Sequence, residues 1–401
     1  METWEVQPLL NNYHRKIAKV DTRFLRYLYA QIHWDVRIIG IRGARGVGKT
    51  TLLLQHILLN YKDLDETLYA SLDDLWFSAH SLLELVDWAD QHGLQRLYLD
   101  EVHRYGRWGE TLKNIYDSYP DMRIVYTSSS LLLMDNAKAD LSRRQTVYTL
   151  HGMSFREYLA FEGVLEAPPV ALEDLLRGHV ALAMHIVGQT KVAGHFEAYL
   201  RHGYYPFYKE AGEDYTTRLR ETVSVVIEND LPAVERMTFE TMQKVKRLLL
   251  LISERVPFQP NMSELWKLLG TSNELGLKML YALDRARIVT MLTTQAKSYK
   301  ALSKPAKILL GNTNLMHALC PRVDIGNERE TFFVSQLSVL HDVAHPPKGD
   351  CLVDGKYLFE VGGRRKTFEQ IADVEDSFLA LADTEVGHGH RIPLWLFGFI
   401  Y

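Results

Sequence analysis

Two cysteines, Cys320 and Cys351, are all that 401 residues contain. Two thiols build no disulfide framework, and a reducing, cytoplasmic compartment is the expectation. No apolar stretch reaches the roughly 20 residues needed to cross a bilayer. The longest late run, residues 392–400, is short and holds Pro393. It reads as a buried final strand. No apolar signal core follows Met1; Glu2 and Glu5 lie there instead, so export is not expected. The chain also lacks internal repeats and low-complexity tracts. No single charge dominates, with a formal net charge of −4. The 47% hydrophobic and 24% charged content is that of a water-soluble globular chain. Its length suits two to four domains.

What is present is concentrated first at residues 43–51. Gly43-Ala44-Arg45-Gly46-Val47-Gly48-Lys49-Thr50, followed by Thr51, is a complete G-x-x-x-x-G-K-[ST] phosphate-binding loop. The apolar run 36–41 before it predicts a buried strand, and residues 51–59 after it predict a helix. The glycines let backbone N–H groups turn inward around a phosphate, and the helix N-terminus adds positive potential. Lys49 would reach the β- and γ-phosphates of ATP, and the Thr50 hydroxyl would ligate Mg2+.

A second motif lies 51 residues beyond Lys49, where the apolar run 95–99 ends in Asp100-Glu101. In nucleotide hydrolases built on such a loop, the first acid holds Mg2+. The second is suited to polarise the attacking water. Alone, the pair would be read as a solvated turn. Behind a full glycine loop, it makes hydrolysis the leading expectation.

Residues 35–150 hold five strand-like runs, at 36–41, 67–72, 95–99, 123–127 and 145–150, with helical segments between them. Such alternation predicts a parallel α/β sheet. The fourth run ends in Thr127-Ser128-Ser129-Ser130. In the additional-strand branch of these ATPases a polar group at this tip senses the γ-phosphate, a place for Thr127 or Ser128; a hydroxyl-rich helix cap is the alternative. Arg143 and Arg144 follow, as an arginine finger acting in cis or on a neighbouring copy, or as surface arginines.

These motifs come in the order of a bacterial and archaeal AAA-like P-loop ATPase family, which the chain resembles. The resemblance continues through Leu150-His151-Gly152-Met153-Ser154-Phe155-Arg156-Glu157-Tyr158-Leu159. This is similar to that family's Leu-Ser-Phe-x-Glu-Phe-Leu signature. Residues 199–206 resemble its segment of a leucine, two residues, a glycine and a proline. The resemblance implies a C-terminal winged helix and a restriction-endonuclease-like domain of poorly known function.

Residues 236–310 carry 13 Lys or Arg against 5 Asp or Glu. A basic segment in an acidic chain points to an anionic partner or to a solvated helical surface. Ser263 can cap a helix ending at Leu269. Gly270 fits a turn, and Thr271-Ser272-Asn273-Glu274 has capping-box spacing for a second helix reaching Arg285. Two short strands, 288–293 and 306–310, would form the wing. Lys278, Arg285 and Arg287 are the candidate phosphate contacts, with docking on a protein as the alternative.

Near the C-terminus, residues 348–363 predict a hairpin with Asp354-Gly355 at its turn. Active restriction-type nucleases place an Asp and then Glu-x-Lys on such strands. Asp350 and Glu360 match the acids, but Gly362 stands where lysine is needed. The domain is therefore expected to bind or assemble rather than cut. A three-residue turn would put Asp350 opposite Glu360, and a two-residue turn would move them to opposite faces. His341 and His345, with Cys351 nearby, have zinc-like spacing, but Pro346-Pro347 argues against it.

The domains expected are an N-terminal helical arm (1–34), the P-loop ATPase core (35–160), a helical lid or connector (161–235), a winged helix (236–311) and a restriction-endonuclease-like domain (312–401). The function expected is Mg2+-dependent ATP hydrolysis that drives a switch or motor on DNA or a protein partner, with homo-oligomerisation possible in principle and no membrane. An ATP-gated nuclease and a nucleotide-gated scaffold are the alternatives.

Overall fold

Five strands early in the chain pair side by side, all in parallel: β1 (Ile38–Gly43), β2 (Thr67–Ser71), β3 (Arg96–Asp100), β4 (Arg123–Ser129) and β5 (Thr146–Thr149). Their order is β2-β3-β4-β1-β5. This is the expected additional-strand sheet, because β4 lies between the loop strand β1 and the acid strand β3. The computed structural model describes residues 1–129, 141–232, 237–254, 261–294 and 305–401. It divides into two compact units, Met1–His151 and Gly152–Tyr401. None of the described helices is long and apolar enough to cross a membrane.

In the first unit, Ile38, Ile39, Ile41, Leu97, Leu99, Ile124 and Val125 are all buried. Strands covered on both faces need such continuous apolar runs. Helices α1 (Thr3–Ile17), α2 (Lys49–Asn60), α3 (Leu82–Gln91) and α4 (Trp108–Ser118) belong to this unit. Gly40 is required by close packing, since a Cβ there would lie 2.6 Å from the Tyr126 ring.

The second unit opens with Ser154, which caps the helix Phe155–Phe161 in a capping box with Glu157. The Ser154 hydroxyl donates to the Tyr401 carbonyl at 2.8 Å, and Arg156 donates to the same oxygen at 2.9 Å. Phe155 meets Phe399 and Tyr199 edge to face. The Ser-Phe-Arg-Glu-Tyr signature thus ties the start of this unit to the chain's last residue. Residues 199–206 close the same core. A Cβ on Gly203 would lie 2.4 Å from the Tyr199 ring.

Helices Phe239–Ser253, Met262–Leu269 and Asn273–Arg285 precede an antiparallel pair, β6 (Val289–Leu292) and β7 (Lys307–Leu310). The caps differ from those expected. Asn261 rather than Ser263 caps the helix Met262–Leu269, and Ser272 rather than Thr271 caps the next. Each accepts the amide three residues on, the geometry any short polar N-cap favours, so spacing alone left the register open. Gly270 ends the first of these helices at φ +59. A Cβ on Gly276 would fall 2.5 Å from the Trp266 ring, so glycine allows the two helices to approach.

Beyond the helix Ile325–Leu337 lies a second sheet, ordered β12-β11-β10-β9-β8. Its strands are β8 (Val343–Ala344), β9 (Cys351–Val353), β10 (Tyr357–Gly362), β11 (Ser377–Leu381) and β12 (Arg391–Pro393). The first three pair antiparallel and the last three parallel. The final strand is shorter than expected. It ends at Pro393, and residues 394–399 continue as a buried 3-10 turn. Proline lacks an N–H for the ladder, which is tolerated at this edge strand but does not extend it.

Candidate nucleotide site and a second charged cluster

The loop between β1 and α2 turns because Gly46 and Gly48 take φ of +85 and +95, which residues with a Cβ rarely adopt. Gly43 is needed for space, since a Cβ there would lie 2.4 Å from the Leu150 carbonyl oxygen. Gly48 is the N-cap of α2, so the helix's first amides face the loop. Lys49 is buried and donates to the carbonyls of Gly43 and Ala44, each at 3.0 Å. Thr51, by contrast, is exposed.

Asp100 is the last residue of β3 and is buried. Thr50 donates to its Oδ2 at 2.7 Å and Tyr69 donates to the same oxygen at 2.8 Å. Thr127 donates to Oδ1 and accepts the Glu101 amide at 3.0 Å. Thr50, Asp100, Thr127 and Glu101 therefore form one hydrogen-bonded chain at the sheet's C-terminal edge. Ser128 and Ser129 are buried at the same strand end. Ser130 lies outside the described residues.

Glu101 sits at φ +54, an uncommon backbone state for a residue with a side chain. That turn lets two consecutive acids serve one site, which a straight strand would not allow. Burial raises the Glu101 carboxyl above its usual range; Lys49 opposes the shift and Asp100 adds to it. His103 Nε2 lies 3.2 Å from the Glu101 carboxylate. The Tyr69 hydroxyl is held neutral, first by burial and then by Asp100, and Lys16 donates to it at 2.8 Å.

Arg26 supports the loop from behind. It donates to the Val47 carbonyl at 2.6 Å and to the His151 carbonyl at 2.7 Å. Arg26, Tyr69 and His103 were not picked out from the sequence. No spacing rule marks Arg26 or Tyr69, which reach the site through the fold. His103, two residues past Glu101, had only its closeness in sequence as a signal.

The site fits a magnesium nucleotide. A hydroxyl and a carboxylate 2.7 Å apart are the hard oxygen donors that Mg2+ takes. The left-handed glycines turn amides toward the loop's centre, beside a buried lysine. The arginines separate. Arg144 pairs with Asp117 at 3.0 Å and lies over the Tyr116 ring, whereas Arg143 is exposed.

The second unit holds another charged cluster. The hairpin β9–β10 pairs Cys351 with Phe359 and Val353 with Tyr357, leaving three turn residues, Asp354, Gly355 and Lys356. This is the register that sets Asp350 opposite Glu360. Asp350 Oδ2 accepts the Val361 amide at 2.8 Å. Lys366 reaches both acids: its Nζ contacts Glu360 Oε2 and lies 3.4 Å from Asp350 Oδ2. The buried pair Lys307–Glu330 stands nearby, within electrostatic reach of Asp350 and Lys366.

His341 is engaged by Asp354 at 2.7 Å, and Cys351 is a buried free thiol. No group of three or more His, Cys, Asp or Glu among the described residues is arranged to hold a metal. In the basic segment, Lys244 and Lys246 pair with Glu240 and Glu228. Lys307 is buried on Glu330. Arg236, Arg255, Lys297, Lys300 and Lys304 lie outside the described residues.

Residues 35–159 match the model of an AAA-domain family. An uncharacterized protein of Methanocaldococcus jannaschii is 25% identical over 286 residues, which cover 68% of this chain and 60% of that protein. The chain thus spans about 60% of the length of this curated relative. A solved katanin structure is similar at a TM-score of 0.28 with 15% identity, covering 43% of this chain and 68% of that one. AMPPCP-bound DnaA from Aquifex aeolicus is similar at a TM-score of 0.26 with 14% identity, covering 64% and 84%. The matched family, the loop and the parallel sheet together define an AAA-like P-loop nucleotide-binding core in the first unit.

Proposed function

We propose that the first unit binds ATP with Mg2+ and hydrolyses it. The observation that supports this most is the hydrogen-bonded chain from Thr50 through Asp100 and Thr127 to Glu101, beside Lys49. Lys49 would leave the Gly43 and Ala44 carbonyls for the β- and γ-phosphates. The amides of residues 46–51 would cradle the phosphates, and Thr50 with Asp100 would hold the metal. Bound there, Mg2+ neutralises charge developing between the phosphates. Glu101, whose carboxyl burial raises above its usual range, is suited to take a proton from the attacking water. Thr127 acts through the two acids as a positioning residue, and Ser128 stands at the strand tip nearest the γ-phosphate. Hydrolysis would drive a conformational switch in a partner-bound assembly. The helices at 239–285 with the pair β6–β7 form a winged helix in this reading, and its partner is a nucleic-acid backbone.

The test compares two variants. Lys49→Ala should lose ATP binding. Glu101→Gln should keep binding and lose turnover by on the order of 10²-fold or more, because the base is gone while the metal ligands remain. Unchanged turnover in Glu101→Gln would remove Glu101 as the base. Tight ATP binding by the wild type without turnover would replace hydrolysis with a nucleotide-gated scaffold.

A further inference from the structure

His103 lies two residues past Glu101, in the 3-10 turn Val102–Arg104 that the left-handed Glu101 opens. Its side chain is 2% exposed, against 24% for that of Glu101. The imidazole is thus shut off from solvent, while the carboxylate stays reachable. Both ring nitrogens face a polar group. Nε2 lies 3.2 Å from Glu101 Oε2, and Nδ1 lies 3.4 Å from the amide nitrogen of Ser129, the last residue of β4.

These two contacts settle where the ring's proton sits. A backbone N–H can only donate, so Nδ1 accepts from Ser129, and a neutral ring then carries its hydrogen on Nε2, the atom that faces Glu101. A side chain that only filled the space behind Glu101 would need neither contact. Glu101 is in this way held from β4 twice, its amide by the Thr127 hydroxyl and its carboxylate from Ser129 through the His103 ring. Lys49 and Arg45 also act on the Glu101 carboxylate. Both belong to the glycine loop, where the phosphates of a bound nucleotide compete for them. His103 lies outside that loop and keeps its place.

We propose that His103 is a positioning residue for hydrolysis: its Nε2–H holds Oε2 of Glu101 and leaves Oε1 aimed at the attacking water. This rests on the reading of Glu101 as the base. A carboxylate free to rotate is misdirected in most of its orientations, and a fixed partner behind it removes that loss. Buried as it is, His103 acts through Glu101 and does not touch the substrate. In the step itself the water oxygen bonds to the γ-phosphorus and the bond from that phosphorus to the departing ADP oxygen breaks. The water proton passes to Oε1 of Glu101 and from there to solvent. His103 gains and loses no proton, because Ser129 already occupies Nδ1.

The test uses the full chain and two polar substitutions that split the ring's contacts. The amide nitrogen of His103→Gln reaches the place of Nε2, whereas His103→Asn keeps an acceptor for Ser129 and falls short of Glu101. In His103→Asn, kcat should drop on the order of tenfold or more while ATP affinity changes little. His103→Gln should recover most of that loss, and a merely structural role would not tell the two amides apart. In the Glu101→Gln background His103→Asn should add nothing, because no carboxylate is left to aim. Thermal melts establish that each variant is folded. Nitrogen NMR of the nucleotide-free protein with labelled histidine, assigned by the signals that His103→Gln removes, should show the proton on Nε2. A proton on Nδ1 would overturn the proposal, and so would equal turnover in His103→Asn and His103→Gln. If Glu101→Gln is inactive while His103→Asn matches wild type, His103 alone loses its role. If Glu101→Gln turns over ATP like wild type, the base assignment falls and the positioning role falls with it.

Discussion

The Thr127 hydroxyl links the two acids of the first unit, donating to Asp100 Oδ1 while accepting the Glu101 amide at 3.0 Å. Thr127→Val keeps the volume and removes both bonds. The Glu101 amide then loses its acceptor, at a cost of about 1–3 kcal/mol. Turnover should fall more than tenfold, because the acids lose their shared anchor, while ATP binding through the loop changes far less. Thermal melts and steady-state turnover check this. An unchanged melting temperature with turnover within twofold of wild type would show that Thr127 positions neither acid.

Burial raises the Glu101 carboxyl in the folded state, so folding takes up protons as pH falls through that range. The sign follows. Between the ordinary carboxylate range and the raised folded value, the folded protein binds more protons than the unfolded chain. Stability therefore declines as pH rises through this window. Glu101→Gln removes the buried charge and should raise the melting temperature near pH 7, with the gain fading below the usual carboxylate range. Buried active-site charges commonly carry such a stability cost. A gain independent of pH would mean that another feature of the substitution stabilises the protein.

The first unit was legible because each feature is local. Strand, glycine loop and helix follow one another in sequence, and five apolar runs fall where β1 to β5 are found. Asp100 and Glu101 sit together in sequence, and a single left-handed turn at Glu101 breaks the strand's alternation between them. Arg26 and Tyr69 were not legible, because they reach the loop and Asp100 from elements whose placement only the fold sets. In the second unit, the two acids were visible but their face depended on a turn length that Asp354-Gly355 does not fix. Lys366 reaches both acids from beyond the end of the strand. Its path opens through the missing Cβ of Gly362, a vacancy no spacing motif encodes. The Ser154-to-Tyr158 signature was recognisable as a pattern, yet its purpose, a clasp on Tyr401, needed coordinates.

Arg144 is fastened to Asp117, whereas Arg143 is exposed. If an arginine reaches the nucleotide of a neighbouring copy, Arg143 is the one placed to do so. Arg143→Ala should then lower turnover without weakening ATP binding. Mixing it with Lys49→Ala should restore part of the activity, because one subunit supplies the intact loop and the other the intact arginine. Absence of rescue at concentrations where the variants associate would confine Arg143 to its own subunit or to no catalytic part.

The basic segment gives a prediction that separates its lysines. Lys307 is buried against Glu330, so it is not presented to a backbone phosphate, whereas the Lys246–Glu228 pair lies at the surface. Lys278 and Arg287 lie on and just after the helix Asn273–Arg285, which follows the turn at Gly270. If these contact phosphates, binding to duplex DNA should weaken steeply as salt rises from about 50 to 200 mM, with little preference for sequence. Lys278→Gln/Arg287→Gln should make the slope of log affinity against log salt shallower by about two, roughly 0.9 per lost contact. Lys307→Met should leave the slope alone and act on stability instead, since it strips the partner from a buried carboxylate. Filter binding across the salt series, paired with thermal melts, reads both effects. An affinity that is flat in salt, or a slope that shifts with Lys307→Met but not with the surface pair, would leave protein docking as the role of this segment.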